Sequence, residues 1–223
     1  MSENGNVRRT STAQDHLLQA LRQLSENEKY ADLTVSCGTR TWKVHNAVVC
    51  PQSDFFAKAC DGAFMEAKSN TVSLVDDDSE AVAAMMHYFY HCDYHTPDHG
   101  SSSTGPLVLE VRIYALADKY FIKALRSLAY SKFKSRLRRE WSTPALAGAL
   151  REVYLTGKAQ QAKFLRNIER VLVQHLELVY QNEQHHDLYL VLRDNGHAAL
   201  RVAMILANEL DWARPPEGLK GSA

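Results

Sequence analysis

Hydrophobic side chains recur along this chain with a helical period almost throughout, and with a strand period only near its start. Leu17, Leu18, Leu21 and Leu24 fall at helical spacing behind a candidate cap at Asp15, which predicts an amphipathic helix. Asp32-Leu-Thr-Val-Ser-Cys37 and Thr41-Trp-Lys-Val44 then alternate on either side of Gly38-Thr-Arg40, the pattern of a hairpin. After His45 the helical period returns in short pieces: Asn46 to Cys50 stops at Pro51, and Ser53 to Ala59 stops at the Asp61-Gly62 turn. Thr71 to Val75 reads as a further strand. The acidic Asp76-Asp-Asp-Ser79 offers an N-cap and favourable charge for a helix start. In that helix Val82, Met85, Met86, Phe89 and Tyr90 form one wide buried face, and the other face is left to solvent.

Thr96 to Pro106 is rich in Ser, Gly, Pro and His without periodicity, which predicts a loop inside the domain. Two stripes follow, Leu109, Ile113, Leu116, Ala117, Tyr120 and then Leu125, Leu128, Ala129, Phe133, Leu137, and they predict a helical pair. Ser142-Thr-Pro144 restarts a helix, carried by Leu146, Leu150, Val153 and Tyr154 up to Gly157. Leu165, Ile168, Leu172, Leu176 and Val179 predict one long helix. Leu188, Val191 and Leu192 predict a shorter one before Asn195-Gly196, and Val202, Ile205, Leu206 and Leu210 a last one. The fold class is therefore α+β followed by an all-helical extension. The expected boundaries are a disordered 1–14, a domain at 15–138, the helical extension at 139–212 and a disordered tail at 213–223.

Composition narrows the function classes. The 223 residues are 45% hydrophobic and 23% charged, as in globular proteins, and 26 basic side chains balance 26 acidic ones. A zero net charge argues against a whole-protein grip on nucleic acid or an anionic membrane. No window approaches the ~20 apolar residues of a membrane span, and the polar start lacks a secretory core, so an intracellular protein, cytoplasmic or nuclear, is expected. Cys37, Cys50, Cys60 and Cys92 include no Cys-x-x-Cys pair, and buried free thiols are the expectation.

Candidate chemistry is sparse. His87, His91, His95 and His99 recur every fourth residue near Cys92, and i, i+4 histidines can chelate zinc. Asp93, Pro97 and Gly100 break the helix before His95 and His99 can share its face, so exposed histidines and no metal are expected. No nucleophile elbow, Walker loop, dinucleotide fingerprint or His-Glu-x-x-His is present, and Cys50 or Cys60 with His45 is only a conceivable nucleophile pair. No enzymatic activity and no cofactor are expected. Between Ile122 and Arg139 stand seven basic residues and no acidic one, against nine acids and two bases in residues 51–100. That run could contact phosphates. Equally it could complement a helix dipole or solvate an outer face, and without a stacking platform or DNA-binding motif nucleic acid is not the expected partner.

Five segments together carry a family resemblance: Ala31-Asp-Leu-Thr-Val, Trp42-Lys-Val-His45-Asn-Ala-Val-Val, Ser53-Asp-Phe-Phe, Thr71-Val-Ser-Leu and Ala115-Leu-Ala-Asp-Lys-Tyr120. In this order they resemble a BTB/POZ domain, and Val49-Cys-Pro-Gln-Ser53 with Gly62-Ala-Phe-Met-Glu66 looks most like the BTB proteins of filamentous fungi. The resemblance implies a small sheet on a helical cluster, a protein-protein interaction module, self-association, and in many members recruitment of a cullin as a ubiquitin-ligase adaptor. It implies cullin binding at Phe64, Met65 and Glu66, and a homodimer interface of Leu17, Leu18, Leu21 and Leu24 near Val48 and Val49. A fold-back of the first helix onto its own subunit stays open. Asp32 and His45 are family-motif positions, but Asn46 stands where repressor-type members carry a base, so that recruitment is not expected. Cys92 stands at a helix end where the family often has Gly. The alternative function is a dimerising scaffold or transcription-linked module without a cullin. The client, in either case unknown, would be held by the extension, by the 96–106 loop or by a second protein.

Overall fold

The computed structural model describes residues 12–61, 69–96, 105–141, 144–156, 162–181 and 186–209. The chain divides into two compact units, Met1–His95 with Leu116–Arg126, and Thr96–Ala115 with Ser127–Ala223.

In the first unit, α1 (Ala13–Asn27) begins just ahead of the expected position because Thr12, not Asp15, is its cap. The Thr12 hydroxyl accepts from the Asp15 N–H, and the Asp15 carboxylate accepts from the Thr12 N–H at 2.8 Å, a reciprocal capping box. The hairpin follows as β1 (Leu33–Cys37) and β2 (Arg40–Val44), with Gly38 at φ +56° supplying the left-handed turn residue. Leu33, Val35 and Cys37 alternate inward, and Val35 stands opposite Trp42.

Helix α2 (Asn46–Val49), a 3-10 turn (Cys50–Gln52) and α3 (Asp54–Cys60) come next, and β3 (Thr71–Ser73) then pairs parallel to β1. The sheet order is β2-β1-β3. The 3-10 turn starts at Cys50 because Pro51 lacks an N–H, and Gln52 ties it down by donating Nε2 to the Val48 and Phe89 carbonyls at 2.8 and 2.9 Å. Ser53 caps α3.

Helix α4 (Ser79–His91) is capped by Asp78 and ends at Cys92, whose φ of 54° explains why a glycine would be the easier residue there. The expected stripe is buried, but the face expected to meet solvent is largely covered as well. Ala81, Ala84 and Tyr88 are also buried, and His87 and His91 are half-buried, because α1 lies against α4.

Helix α5 (Pro106–Lys119) begins at Pro106, the last residue expected in the loop, since proline suits a first helical turn. Helix α6 runs Lys123–Glu140. All predicted core positions of both are buried except the half-buried Leu128. The rest of the second unit is helical among the described residues: α7 (Pro144–Thr156), α8 (Ala162–Gln174), α9 (Leu176–Gln181), α10 (His186–Asp194) and α11 (Gly196–Glu209).

The single long helix expected through Val179 is two helices. At His175 the backbone N–H is shared between the Val171 and Leu172 carbonyls at 3.2 and 3.3 Å, and the imidazole stacks on Trp141 with centroids 3.7 Å apart. The buried position at its start is Phe164 rather than Leu165, which is only half-buried. Asn195 starts α11 instead of only ending α10, its side-chain oxygen accepting from the Ala198 N–H at 3.2 Å. Gly148 permits a close approach within this unit, since a Cβ there would meet Val108 Cγ2 at 3.1 Å. Leu210, Gly157 and the Arg214-Pro-Pro tail lie outside the described residues.

Candidate functional site

Strand β2 delivers His45 to the start of α2, and the ring there fixes its own tautomer. Its Nε2 lies 2.6 Å from the Lys29 carbonyl, which can only accept, so Nε2 carries the proton. Nδ1 therefore accepts from the Tyr90 hydroxyl at 2.8 Å, and that oxygen in turn accepts from the His45 backbone N–H at 2.9 Å. Burial pushes the Tyr90 hydroxyl up to about 12, which keeps it a donor at any ordinary pH. The pair binds the chain ahead of the sheet to α4. His45 is thus a structural pin.

Asp32, exposed at the edge of this node, accepts from the Asn46 N–H at 2.7 Å. A carboxylate at a helix N-terminus needs no basic neighbour, and Asn46 serves the family-motif aspartate through its backbone alone. The Asn46 side chain turns instead to Cys60 and Cys50, whose sulfurs lie 3.1 and 3.9 Å from its Oδ1. The conceivable cysteine-histidine pair does not form, because both ring nitrogens of His45 are already engaged. All four thiols are free and Cys37 is buried, as expected, but Cys50 and Cys60 are half-buried and Cys92 is exposed at the αL end of α4.

A second node was not legible from the sequence. Asp77, in the turn before α4, accepts from Lys119 Nζ at 2.8 and 2.9 Å and from the Tyr120 hydroxyl. Burial first, then this hydrogen bond, raises the Tyr120 hydroxyl far above the phenol range. The Tyr120 carbonyl accepts from the buried Ser53 hydroxyl at 2.7 Å. Lys119-Tyr120 and Ser53, which carried the resemblance by sequence, therefore join three segments of the first unit. Only the local excess of acids at 76–78 hinted at such a partner.

The α1 stripe is partly covered. Leu18, Leu21 and Leu24 are half-buried and Leu17 is 64% exposed, so α1 has no fully buried side chain although it lies along α4. Val48 and Val49, expected beside a partner's helix, are buried within the chain's own core. Van der Waals contact inside the unit already occupies them, and they offer no open surface. Phe64, Met65 and Glu66 lie outside the described residues.

Of the histidines, His95 is exposed as expected, but His87 and His91 are half-buried. The helix does end at His91, yet the chain turns back, so His95 reaches 5.8 Å from His87, whose ring stacks on His91 at 3.8 Å. His91 is held below the usual imidazole range, by burial first and by neighbouring His87 and Arg22. His99 lies outside the described residues, and among those described no group of three or more His, Cys, Asp or Glu side chains is arranged to hold a metal ion.

Part of the basic run is engaged inside its own units. Arg126 pairs with Asp118, Lys134 lies over the Tyr130 ring at 5.0 Å, and Arg136 bonds Thr96 at 2.7 Å and Glu140 at 3.1 Å. Among the described residues no helix is long and apolar enough to cross a membrane.

A three-stranded mixed sheet with short helices between β2 and β3, followed by paired helices, places the chain in the α+β class. Residues 21–136 match the family model of the BTB/POZ domain, and the chain belongs to that family of protein-protein interaction modules. Among solved structures it is similar to the BTB domain of human Gigaxonin, at 13% identity over 56% of this chain and 95% of that one, with a TM-score of 0.42. It is also similar to the BTB domain of zebrafish PATZ1, at 11% identity over 57% of this chain and 99% of that one, with a TM-score of 0.43.

Proposed function

We propose that this protein is a self-associating, non-enzymatic adaptor that presents a client to a cullin-based ubiquitin ligase. Family membership over residues 21–136 supports an interaction role, and the intact Phe64-Met65-Glu66 motif carries the cullin reading. Phe64 is the aromatic anchor, and Glu66 sets orientation at its rim. The resemblance to filamentous-fungal members makes the cullin of such a fungus the one to test. The client is held by the helical extension, by the 96–106 segment or by a second protein.

Capture of that cullin by the purified full chain is the experiment. Loss of a central anchor costs about 2 kcal/mol or more, roughly a thirtyfold loss of affinity, so Phe64→Ala abolishes capture and Glu66→Ala weakens it less. Circular dichroism in parallel shows whether the variants stay folded. Folded variants that bind as well as the wild type, or a wild type that captures nothing, sink the adaptor reading and leave a dimerising scaffold or transcription-linked module.

Self-association runs through α1, supported by the exposure of Leu17 beside the half-covered Leu18, Leu21 and Leu24. In sedimentation at micromolar concentration the full chain is expected to be a dimer, and Leu17→Glu should shift it toward monomer by placing a charge in an apolar contact. A wild type that sediments as a monomer rejects this interface.

A further inference from the structure

Cys50 and Cys60 are ten positions apart in the chain but neighbours in space. Cys50 opens the 3-10 turn and Cys60 closes α3. Both sulfurs meet at one atom, Asn46 Oδ1, with Cys60 at 3.1 Å and Cys50 at 3.9 Å, and Cys50 also reaches the Phe56 carbonyl at 3.6 Å. The two thiols also interact directly, by hydrogen bonding and by charge, so their side chains are immediate neighbours. Both are half-buried, so a small oxidant can reach them. The other two cysteines are placed differently: Cys37 is buried with its sulfur on the Asp77 carbonyl, and Cys92 is exposed at the end of α4.

We propose that Cys50 and Cys60 are a thiol modification site, which a peroxide converts to an intrachain disulfide. Cys60 reacts first. Its sulfur attacks one peroxide oxygen, the O–O bond breaks, and the Cys60 thiol proton leaves with the departing hydroxide as water, leaving a sulfenic acid on Cys60. The Cys50 sulfur then attacks the Cys60 sulfur, the S–O bond breaks, and the Cys50 proton leaves with the hydroxide as a second water. Two thiols and one peroxide give one disulfide and two waters, with two electrons passing from sulfur to oxygen.

The order follows from the surroundings of Cys50. Burial, then the adjacent Cys60, then the carboxylates of Asp32 and Asp61 push its thiol up to about 12, which leaves Cys60 as the thiol that meets the oxidant first. Forming the bond removes both thiol donors from Asn46, whose half-exposed side chain can turn to water, and ties the end of α3 to the 3-10 turn.

The test uses the full chain carrying Cys92→Ser, which keeps three of the four cysteines and removes the exposed one. The reduced protein, freed of reductant, is treated with hydrogen peroxide in native buffer, blocked with iodoacetamide and digested with trypsin without reduction. Cleavage after Lys43, Lys58 and Lys68 separates the two cysteines, so the disulfide appears as peptide 44–58 linked to peptide 59–68. The expected result is that linked pair as the dominant oxidised product, with free thiols falling from three to one. Cys50→Ser and Cys60→Ser should each abolish it. The proposal is overturned if both peptides return alkylated or singly oxidised, or if the link forms no faster in native buffer than in urea. Should Cys92→Ser fold poorly, the unchanged chain yields the same peptides, and their linkage is read in the same way.

Discussion

Phe164→Ala is expected to lower the stability of the second unit by about 3–5 kcal/mol, a fall in unfolding midpoint on the order of 10 °C. Phe164 has no exposed surface, and three rings close on it edge-to-face: Phe133 at 4.6 Å, Tyr114 at 4.8 Å and Tyr130 at 5.3 Å between centroids. Truncation removes the ring's burial and leaves a cavity that these aromatic walls cannot collapse to fill. The neighbouring Lys163 makes a useful contrast. Its ammonium sits 4.2 Å from the Tyr114 centroid and 4.1 Å from that of Tyr130, but such a contact contributes only about 0.5–2 kcal/mol. Chemical denaturation should therefore rank Phe164→Ala far below Lys163→Met. A Phe164→Ala chain within 1 kcal/mol or so of wild type would show that this ring is not the centre of the unit.

Breaking one buried ion pair from the arginine side is expected to cost about 3 kcal/mol, whereas replacing both partners costs little. Glu169 is only 1% exposed and takes two hydrogen bonds from Arg201, one of them Nη2 to Oε2 at 2.9 Å, while the Tyr154 hydroxyl approaches at 3.4 Å. Arg201 itself is 40% exposed, so water compensates it when the pair is lost, but nothing comparable reaches the carboxylate. Arg201→Met thus strands a buried charge. The double variant Glu169→Leu with Arg201→Met removes that charge along with its partner. Urea denaturation of the two single variants and the double variant separates these cases. A double variant as unstable as Arg201→Met would mean that packing, and not charge, governs the site.

Periodicity reads the helices well because each buried stripe is written within one segment. Val82 to Tyr90, Ile113 to Tyr120 and Leu188 to Leu192 all bury the side chains their spacing marks. The hairpin was legible for the same reason, alternation around a glycine being a local property. The Phe64-Met65-Glu66 motif is a pattern of residue types alone, and its positions lie outside the described residues.

What the amino-acid sequence determined by itself is the α+β class, the identity of most elements and the family. Only the tertiary structure decided which groups meet. That α1 covers the outer face of α4, that Val48 and Val49 lie in the core, and that β3 pairs parallel to β1 all depend on contacts between segments distant in the chain. So do the meetings of His45 with Tyr90, of Asp77 with Tyr120, and of Cys50 and Cys60 at Asn46. A hydrogen bond depends on a few tenths of an ångström between two atoms, and residue spacing carries no such information once the chain has turned. Spacing records which face of a segment must leave water, and the folded chain alone records what that face encounters.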